Sequence, residues 1–357
     1  MNYRQKKLIS LINRSQLNTA VLTSRANKHY FTGYEYEEGY IVINENEIKL
    51  FVDPRFTIYA KQEIGGLDVV ESKEPFIELI GYLKSFKRIG FDGSGIRYNT
   101  FMKLTSELNK NPISFIEDSL LKMRSIKDAE EIDFIRQGAD ASGIAINKLI
   151  GSINTGMTEK EIAFMLNLEL IKAGADDISF DTIVAFDEKT AYAHALPSNA
   201  IIIGGKHTML CDFGAVVKGY HTDETHTFFI GDAGSDLKKV YNIVLDAHDR
   251  AIDAIKTGIR ASSLDHRVRE LFDKQGYGKY FGHALGHGVG LDIHESPSIS
   301  NKSKDVLKNG MVFTIEPGIY IPGWGGIRIE SIILLTDRGK EILTIRDRLN
   351  PVIKLEV

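Results

Sequence analysis

Apolar positions in the first third of the chain come in short runs. "TAVLTS" (19–24), "YIVI" (40–43), "IKLFVD" (48–53) and "RIGFD" (88–92) have strand character. Stretches near 54–63, 75–86 and 98–109 read as helices, and an amphipathic helix opens the chain in "MNYRQKKLISLINRSQL". Such alternation predicts an α/β layer domain. The pattern then changes. Ile132, Ile135, Ala139, Ile144 and Ile146 follow helical spacing, and "KDAEE" supplies acids for a first turn, so a long amphipathic helix is expected to start near 127. The domain boundary is therefore expected near 118–126, which gives domains 1–120 and 121–357.

"TEKEIAFMLNLELIKAG" (158–174) predicts a helix with Thr158 as N-cap, Glu161 at the capping-box position and Gly174 closing it. The stretch 208–232 predicts two strands folded back through "KGY". Helices are expected at 235–255 and 263–276, then strands near 311–315, 318–321 and 327–335. The second domain is thus expected to be α+β.

Composition narrows the function classes. Of 357 residues, 43% are apolar and 26% charged, as in a globular protein large enough to bury a substantial core. A net charge of −4 leaves no basic footprint for nucleic acid or an anionic membrane. No apolar run approaches the length of a membrane span. The opening segment reads as a helix rather than a signal peptide. Cys211 is the single cysteine, so no intrachain disulfide can form, and a cytoplasmic location is expected.

The chemistry-bearing residues are unevenly spread. Nine of the ten histidines lie between His194 and His294. His283, His287 and His294 stand in "GHALGHGVGLDIHE", where four glycines make a zinc-binding helix improbable and suggest backbone passing close to something bulky or charged. Asp212 and Asp223 fall eleven residues apart across the expected strand pair, and Glu316 and Glu330 each interrupt an apolar run. A carboxylate in a buried strand must be paired or bind a cation. One such acid is readily explained by an arginine such as Arg328. Four of them with a histidine cluster suit two divalent ions of the Mn²⁺, Co²⁺, Fe²⁺ or Zn²⁺ kind. Two such ions would activate a water near neutral pH.

These segments carry a family resemblance. "CDFGAVVKGYHTDETHT", "GHALGHGVGLDIHESP", "TIEPGIYIPGWGGIRIES" and "AYAHALPS" resemble the pita-bread metallopeptidases of the Xaa-Pro aminopeptidase and prolidase branch. "NKHYFTGYEYEEGYIVI" and "LFVDPRFTIYA" resemble that family's creatinase-like N-terminal domain, and "MRSIKDAEEI" its entry to the catalytic domain. The resemblance implies a pita-bread α+β catalytic domain behind a smaller α/β domain. It implies that Asp212 chelates one metal, that His287 and Glu316 bind the other, and that Asp223 and Glu330 bridge both. Glu316 would also be the proton acceptor, His294 would hold the scissile carbonyl, His194 would meet the substrate near the scissile nitrogen, and His283 would line the proline side. Two ions are implied, Mn²⁺ first, with Co²⁺, Zn²⁺ or Fe²⁺ as alternatives, in a homodimer.

Three positions depart from the family's pattern. His226 stands where Arg is usual, Ser331 where Asp is usual, and Ser298 where Arg is frequent. The first two bear on groups around the metal ligands, the third on how the far end of a substrate is held. With Ser298 in place, an Xaa-Pro aminopeptidase is expected, acting on peptides with proline at the second position. A prolidase, cutting Xaa-Pro dipeptides, is the alternative. A pita-bread module without catalysis would lack ligands, and all five are present. Arg328 is the remaining cation that a dipeptide's carboxylate could meet.

Overall fold

The structure is a computed structural model that describes residues 1–108, 112–202, 207–231, 234–344 and 351–353. The last position of the expected helix 98–109 and that of the expected strand pair 208–232 lie outside the described residues. The chain separates into two compact units, Met1–Arg124 and Ser125–Val357.

In the first unit, strands β1 (Thr19–Leu22), β2 (Tyr40–Ile43), β3 (Ile48–Val52), β4 (Asp68–Glu71), β5 (Ile89–Phe91) and β6 (Ile113–Phe115) form one mixed sheet in the order β4-β3-β2-β1-β5-β6. Helices α1 (Tyr3–Arg14), α2 (Arg25–Thr32), α3 (Pro54–Glu63), α4 (Pro75–Leu83), α5 (Tyr98–Glu107) and α6 (Glu117–Arg124) accompany it. Leu79, Leu83 and Leu104 pack on Val21, Val42, Phe51 and Phe91. Helix α6 occupies the stretch where the sequence suggested only a boundary.

In the second unit, α7 (Ala129–Ile150) starts two residues later than expected. Asp128 caps it, accepting from the amides of Glu130 and Glu131, and Glu131 returns a bond to the Asp128 amide. Helix α8 (Glu159–Lys172) begins with the expected Thr158–Glu161 capping box. After β7 (Asp177–Ile178) and β8 (Ile183–Phe186) comes a 3-10 turn, Asp187–Ala191. The strand pair then folds back at Lys218–Gly219, but each arm is broken in two. β9 (His207–Phe213) and β12 (Glu224–Ile230) pair with each other, while β10 (Ala215–Val217) and β11 (Tyr220–His221) pair with each other, and β10 with β7.

Helices α9 (Ser235–Ala254) and α10 (Ala261–Lys274) precede β13 (Gly286–Gly288), β14 (Glu295–Ile299), β15 (Val312–Ile315), β16 (Gly318–Ile321), β17 (Gly325–Arg328), β18 (Ser331–Thr336), β19 (Gly339–Ile342) and β20 (Val352–Ile353). One sheet runs β20-β12-β9-β8 and another β14-β13-β15-β18-β19, with β16 and β17 as a separate hairpin. The expected strand 327–335 is therefore two strands in different sheets. At the break, Ile329 donates to the Pro317 carbonyl and Glu330 to the Thr225 carbonyl, so neither amide continues a ladder.

Two helical layers flank these sheets. Ala145, Ile146, Leu166 and Leu170 pack on Met209, Cys211, Phe213, Phe228 and Ile230. Val244, Ala247, Leu264 and Val268 pack with Phe313, Ile315, Ile333, Leu335 and Phe229. Along β12, Phe228 and Ile230 thus join one core and Phe229 the other, as the period of two requires. Each such side chain contributes roughly 1.5–3 kcal/mol by leaving water. Among the described residues no helix is long and apolar enough to cross a membrane.

A buried ion pair closes the entry to this unit. Lys127 Nζ lies 2.6 Å from Glu295 Oε1, with both side chains 1% exposed, and the Lys127 amide donates to the Gly310 carbonyl. Removing one partner of a buried pair typically costs about 3–5 kcal/mol. Lys127→Met should lower the free energy of urea unfolding by that amount. A loss below about 1 kcal/mol would show that other groups already compensate Glu295.

Candidate active site

The four singled-out acids sit where strands end or break. Asp212 is the penultimate residue of β9, Asp223 immediately precedes β12, Glu316 follows β15, and Glu330 occupies the gap between β17 and β18. A strand end lets a side chain turn inward while its neighbours keep the ladder. His287 is the middle residue of β13, a strand absent from the sequence reading. Its glycine neighbours have a steric reason: a Cβ on Gly286 would lie 2.0 Å from the Thr314 carbonyl oxygen, and one on Gly288 2.3 Å from that of Ser296.

All five expected ligands line one cavity of about 500 Å³, together with His194, His283, His294, Ser298 and Arg328. Asp223, His287 and Glu330 each offer a ligand atom within 4.8 Å of the others. The ring of His287 is oriented by its bonds. Its Nδ1 donates to the Gly288 carbonyl 3.1 Å away. Nε2 is turned inward and faces Asp223 Oδ2 at 3.4 Å and Glu316 Oε1 at 3.5 Å, so a proton or a metal ion must lie among these three atoms. The same need shows in Asp212 Oδ1, Asp223 Oδ1 and Glu330 Oε1, which are buried without a hydrogen-bond partner. These donors fit divalent metal.

Without a metal ion the acids disfavour one another's charge. Burial, then the nearby Asp212 and Glu316 carboxylates, push Asp223 well above the usual carboxylate range. Burial and Asp223 do the same to Glu330. Glu316 is also raised, chiefly by burial.

Arg328 supplies the positive charge on one side. Its Nη2 donates to Asp212 Oδ2 at 2.5 Å, Nε to Thr225 Oγ1 at 2.9 Å, and Nη1 to the Tyr320 hydroxyl at 2.7 Å and the Ala193 carbonyl at 3.2 Å. Four of its five N–H groups are committed within the protein, leaving one for the substrate contact expected of it. Thr225, paired across the ladder with Asp212, passes its own proton to Glu330 Oε2 at 2.7 Å. The Tyr320 hydroxyl lies 2.9 Å from His283 Nε2, while His283 Nδ1 lies 2.7 Å from the Ala284 carbonyl. His283 is therefore neutral with Nε2 accepting, and burial lowers its pKa to about 4. Desolvation, then His287 and His194, lower that of His294 as well.

The sequence reading missed Tyr320, Thr225 and the apolar wall of Phe180, Ile183, Leu196 and Ile293. Tyr320 follows Glu316 by four residues in an apolar strand, a weak signal at most. Of the three departures, His226 points to the α7–α8 side, stacked on Phe228 at 5.8 Å and 3.2 Å from Glu224. Ser331 Oγ meets His248 Nε2 at 3.1 Å. Only Ser298 lines the cavity.

Comparisons with known proteins identify the family. The model of metallopeptidase family M24 matches residues 133–337, and that of the creatinase/prolidase N-terminal domain matches residues 4–126. The chain is 36% identical to the Xaa-Pro dipeptidase of Pyrococcus furiosus over 98% of this chain and 99% of that one. The crystal structure of X-Pro aminopeptidase from Thermotoga maritima superimposes with a TM-score of 0.92 at 36% identity, covering 98% of this chain and 99% of the other. The prolidase structure from Pyrococcus horikoshii gives 0.92 at 34%, covering 97% and 99%. The expected α+β pita-bread unit behind a creatinase-like domain is thus the fold observed, and the chain belongs to metallopeptidase family M24.

Proposed function

We propose that this chain is a dinuclear-metal peptidase that hydrolyses the bond between an N-terminal residue and a following proline, with Xaa-Pro dipeptides as its preferred substrates. The observation that carries the metal reading is His287 Nε2 facing two carboxylates among buried oxygens that have no hydrogen-bond partner. The dipeptide preference revises the aminopeptidase expected from Ser298. The relatives from Pyrococcus furiosus and Pyrococcus horikoshii are described as an Xaa-Pro dipeptidase and a prolidase, and they support the revision. The Thermotoga maritima relative, described as an X-Pro aminopeptidase, keeps the second reading in play. So does the cavity, where Arg328 is the one lysine or arginine among the described lining residues and is largely committed to the protein.

In this reading Asp212 would hold one ion, His287 and Glu316 would hold the other, and Asp223 and Glu330 would be shared between them. When bound, the ions polarise a water and the scissile carbonyl. The oxygen-rich ligand set favours Mn²⁺, with Co²⁺, Zn²⁺ or Fe²⁺ able to substitute. Glu316 takes the water's proton and passes it to the leaving nitrogen. A peptide nitrogen leaves as an amine and not as an anion, so its departure needs that delivery. His294, neutral and on the cavity wall, donates to the carbonyl oxygen as negative charge develops. His283, held by Tyr320, shapes the proline side, and His194 contacts the substrate from its loop. The reading places the enzyme in the cytoplasm, in keeping with its single buried cysteine, and as a homodimer.

Three outcomes test it. Asp223→Asn should reduce bound metal below the wild-type content, measured by elemental analysis, and abolish nearly all turnover. Metal at a thousand times its Kd should stabilise the chelated wild type by about 4 kcal/mol per site, seen as a rise in Tm. A variant that retains full metal and turnover refutes the bridge.

His294→Ala should keep the metal content and lose roughly 10²–10³ in kcat, as loss of one oxyanion donor does. Metal falling in step with activity would make His294 a ligand instead.

Gly-Pro should be cut with higher kcat/KM than Gly-Pro-Xaa tripeptides, and Gly-Ala should be a poor substrate. A tripeptide preferred by about tenfold, the size of one charge-assisted contact, would return the assignment to aminopeptidase.

A further inference from the structure

We propose that Glu159 is the residue that positions His194, by clamping both ends of the loop that carries it. The inference rests on the reading of His194 as a substrate contact, and it concerns how that contact is held in place.

His194 lies in the stretch between the end of β8 at Phe186 and residue 202. It is exposed and lines the cavity, as do Ala193, Ala195 and Leu196 beside it. An exposed ring on a loop takes its position from the loop backbone. That backbone converges on one carboxylate. Glu159, the first residue of α8, is 0% exposed. Its Oε1 accepts from the Phe186 amide at 2.8 Å. Its Oε2 accepts from the Ser198 amide at 2.7 Å, the Ser198 hydroxyl at 2.6 Å and Lys189 Nζ at 2.5 Å. Lys189 Nζ also donates to the Leu196 carbonyl at 2.6 Å, which ties the middle of the loop to the same centre.

The backbone of α8 adds to this: the Glu159 amide donates to the Ala200 carbonyl and the Lys160 amide to that of Ser198. Four donors on a buried, ionised carboxylate make charge-assisted bonds, the stronger kind. Burial alone would raise the Glu159 pKa, but the bonds from Lys189 and Ser198 outweigh it and hold the carboxyl below its usual range. Glu159 is not among the residues that line the cavity, so it acts through the loop and not on substrate. Its contribution is preorganisation. A loop already closed loses less freedom on binding, and a reacting group displaced by about 1 Å can lose about a hundredfold in rate.

The test is a double-mutant cycle between Glu159→Ala and His194→Ala on the metal-loaded enzyme, read as kcat and KM for an Xaa-Pro substrate. Metal content and amide hydrogen exchange over residues 186–200 are measured on the same samples. Glu159→Ala should lower kcat by about tenfold or more. Metal content should stay at the wild-type level, and exchange at the Phe186 and Ser198 amides should quicken. In the His194→Ala background the same change should have almost no further effect on kcat, because the residue it positions is gone. Lys189→Met, at a partly exposed position, should act in the same direction less strongly, and it carries the cycle if Glu159→Ala does not fold. A loss from Glu159→Ala that persists in full without His194 overturns the proposal. If His194→Ala keeps full turnover, the reading of His194 is wrong and the proposal falls with it. If His194→Ala is impaired and Glu159→Ala is not, His194 stands and the clamp alone falls.

Discussion

Like charges cannot be buried together without a cation between them, and that constraint organises the second unit. Asp212, Asp223, Glu316 and Glu330 line one cavity, and Arg328 bonds directly to just one of them. Folding must carry these acids inward against their own repulsion and desolvation. It does so by placing each at a strand end or break, with apolar neighbours that hold the backbone in two sheets and two helical layers. The acids are thus held in place by the surrounding cores. The unpartnered oxygens and the inward-facing His287 Nε2 are what a metal would satisfy.

Arg328 connects Asp212 to the Tyr320–His283 pair on the other side of the cavity. Hydrogen-bond direction is fixed at both ends: arginine only donates, so the Tyr320 hydroxyl accepts from it and gives its own proton to His283 Nε2. The chain Asp212–Arg328–Tyr320–His283 therefore has one sense and one tautomer at His283. A lysine would supply the charge but not the planar fork that reaches Asp212, Thr225 and Tyr320 at once. The same commitment explains why Arg328 is a poor candidate for gripping a substrate carboxylate on its own.

The legible residues were those that contradict their surroundings. A lone acid in "VFTIEPGIY" or "IRIESIILL" violates the strand pattern, and the violation marks Glu316 and Glu330. The Thr158–Glu161 cap was equally plain, since it is a local arrangement. What escaped was set by distant partners. Strand β13 is three residues with glycine at both ends, and its pairing to β14 and β15 is the only reason it is a strand. The run 327–335 reads as one strand but is split in space, because Glu330 donates its amide to Thr225, more than a hundred residues away. Tyr320 and Glu159 look unremarkable in sequence, as an aromatic in a strand and an acid in a first helical turn. Helix α6 was lost because eight residues carry little periodicity.

The departures from the family's pattern divide along the same geometry. His226 lies on the face of β12 that packs toward α7 and α8, between Phe213 and Phe228, while Thr225 and Thr227 on the opposite face bond with Glu330 and Arg328. A change at 226 therefore reaches the ligands only through the strand backbone. Ser331 is adjacent to a ligand in sequence, yet its hydroxyl turns to His248 on α9. Neither alters the donor set. Ser298 differs, because it lies on the cavity wall and carries no charge. In the proposed reading the chemistry rests on acids at strand ends between two helical layers, and discrimination between substrates would fall to Ser298 and the loop that bears His194. Those parts can vary without disturbing the buried acids, so a common ligand set is compatible with relatives that differ in the peptides they cut.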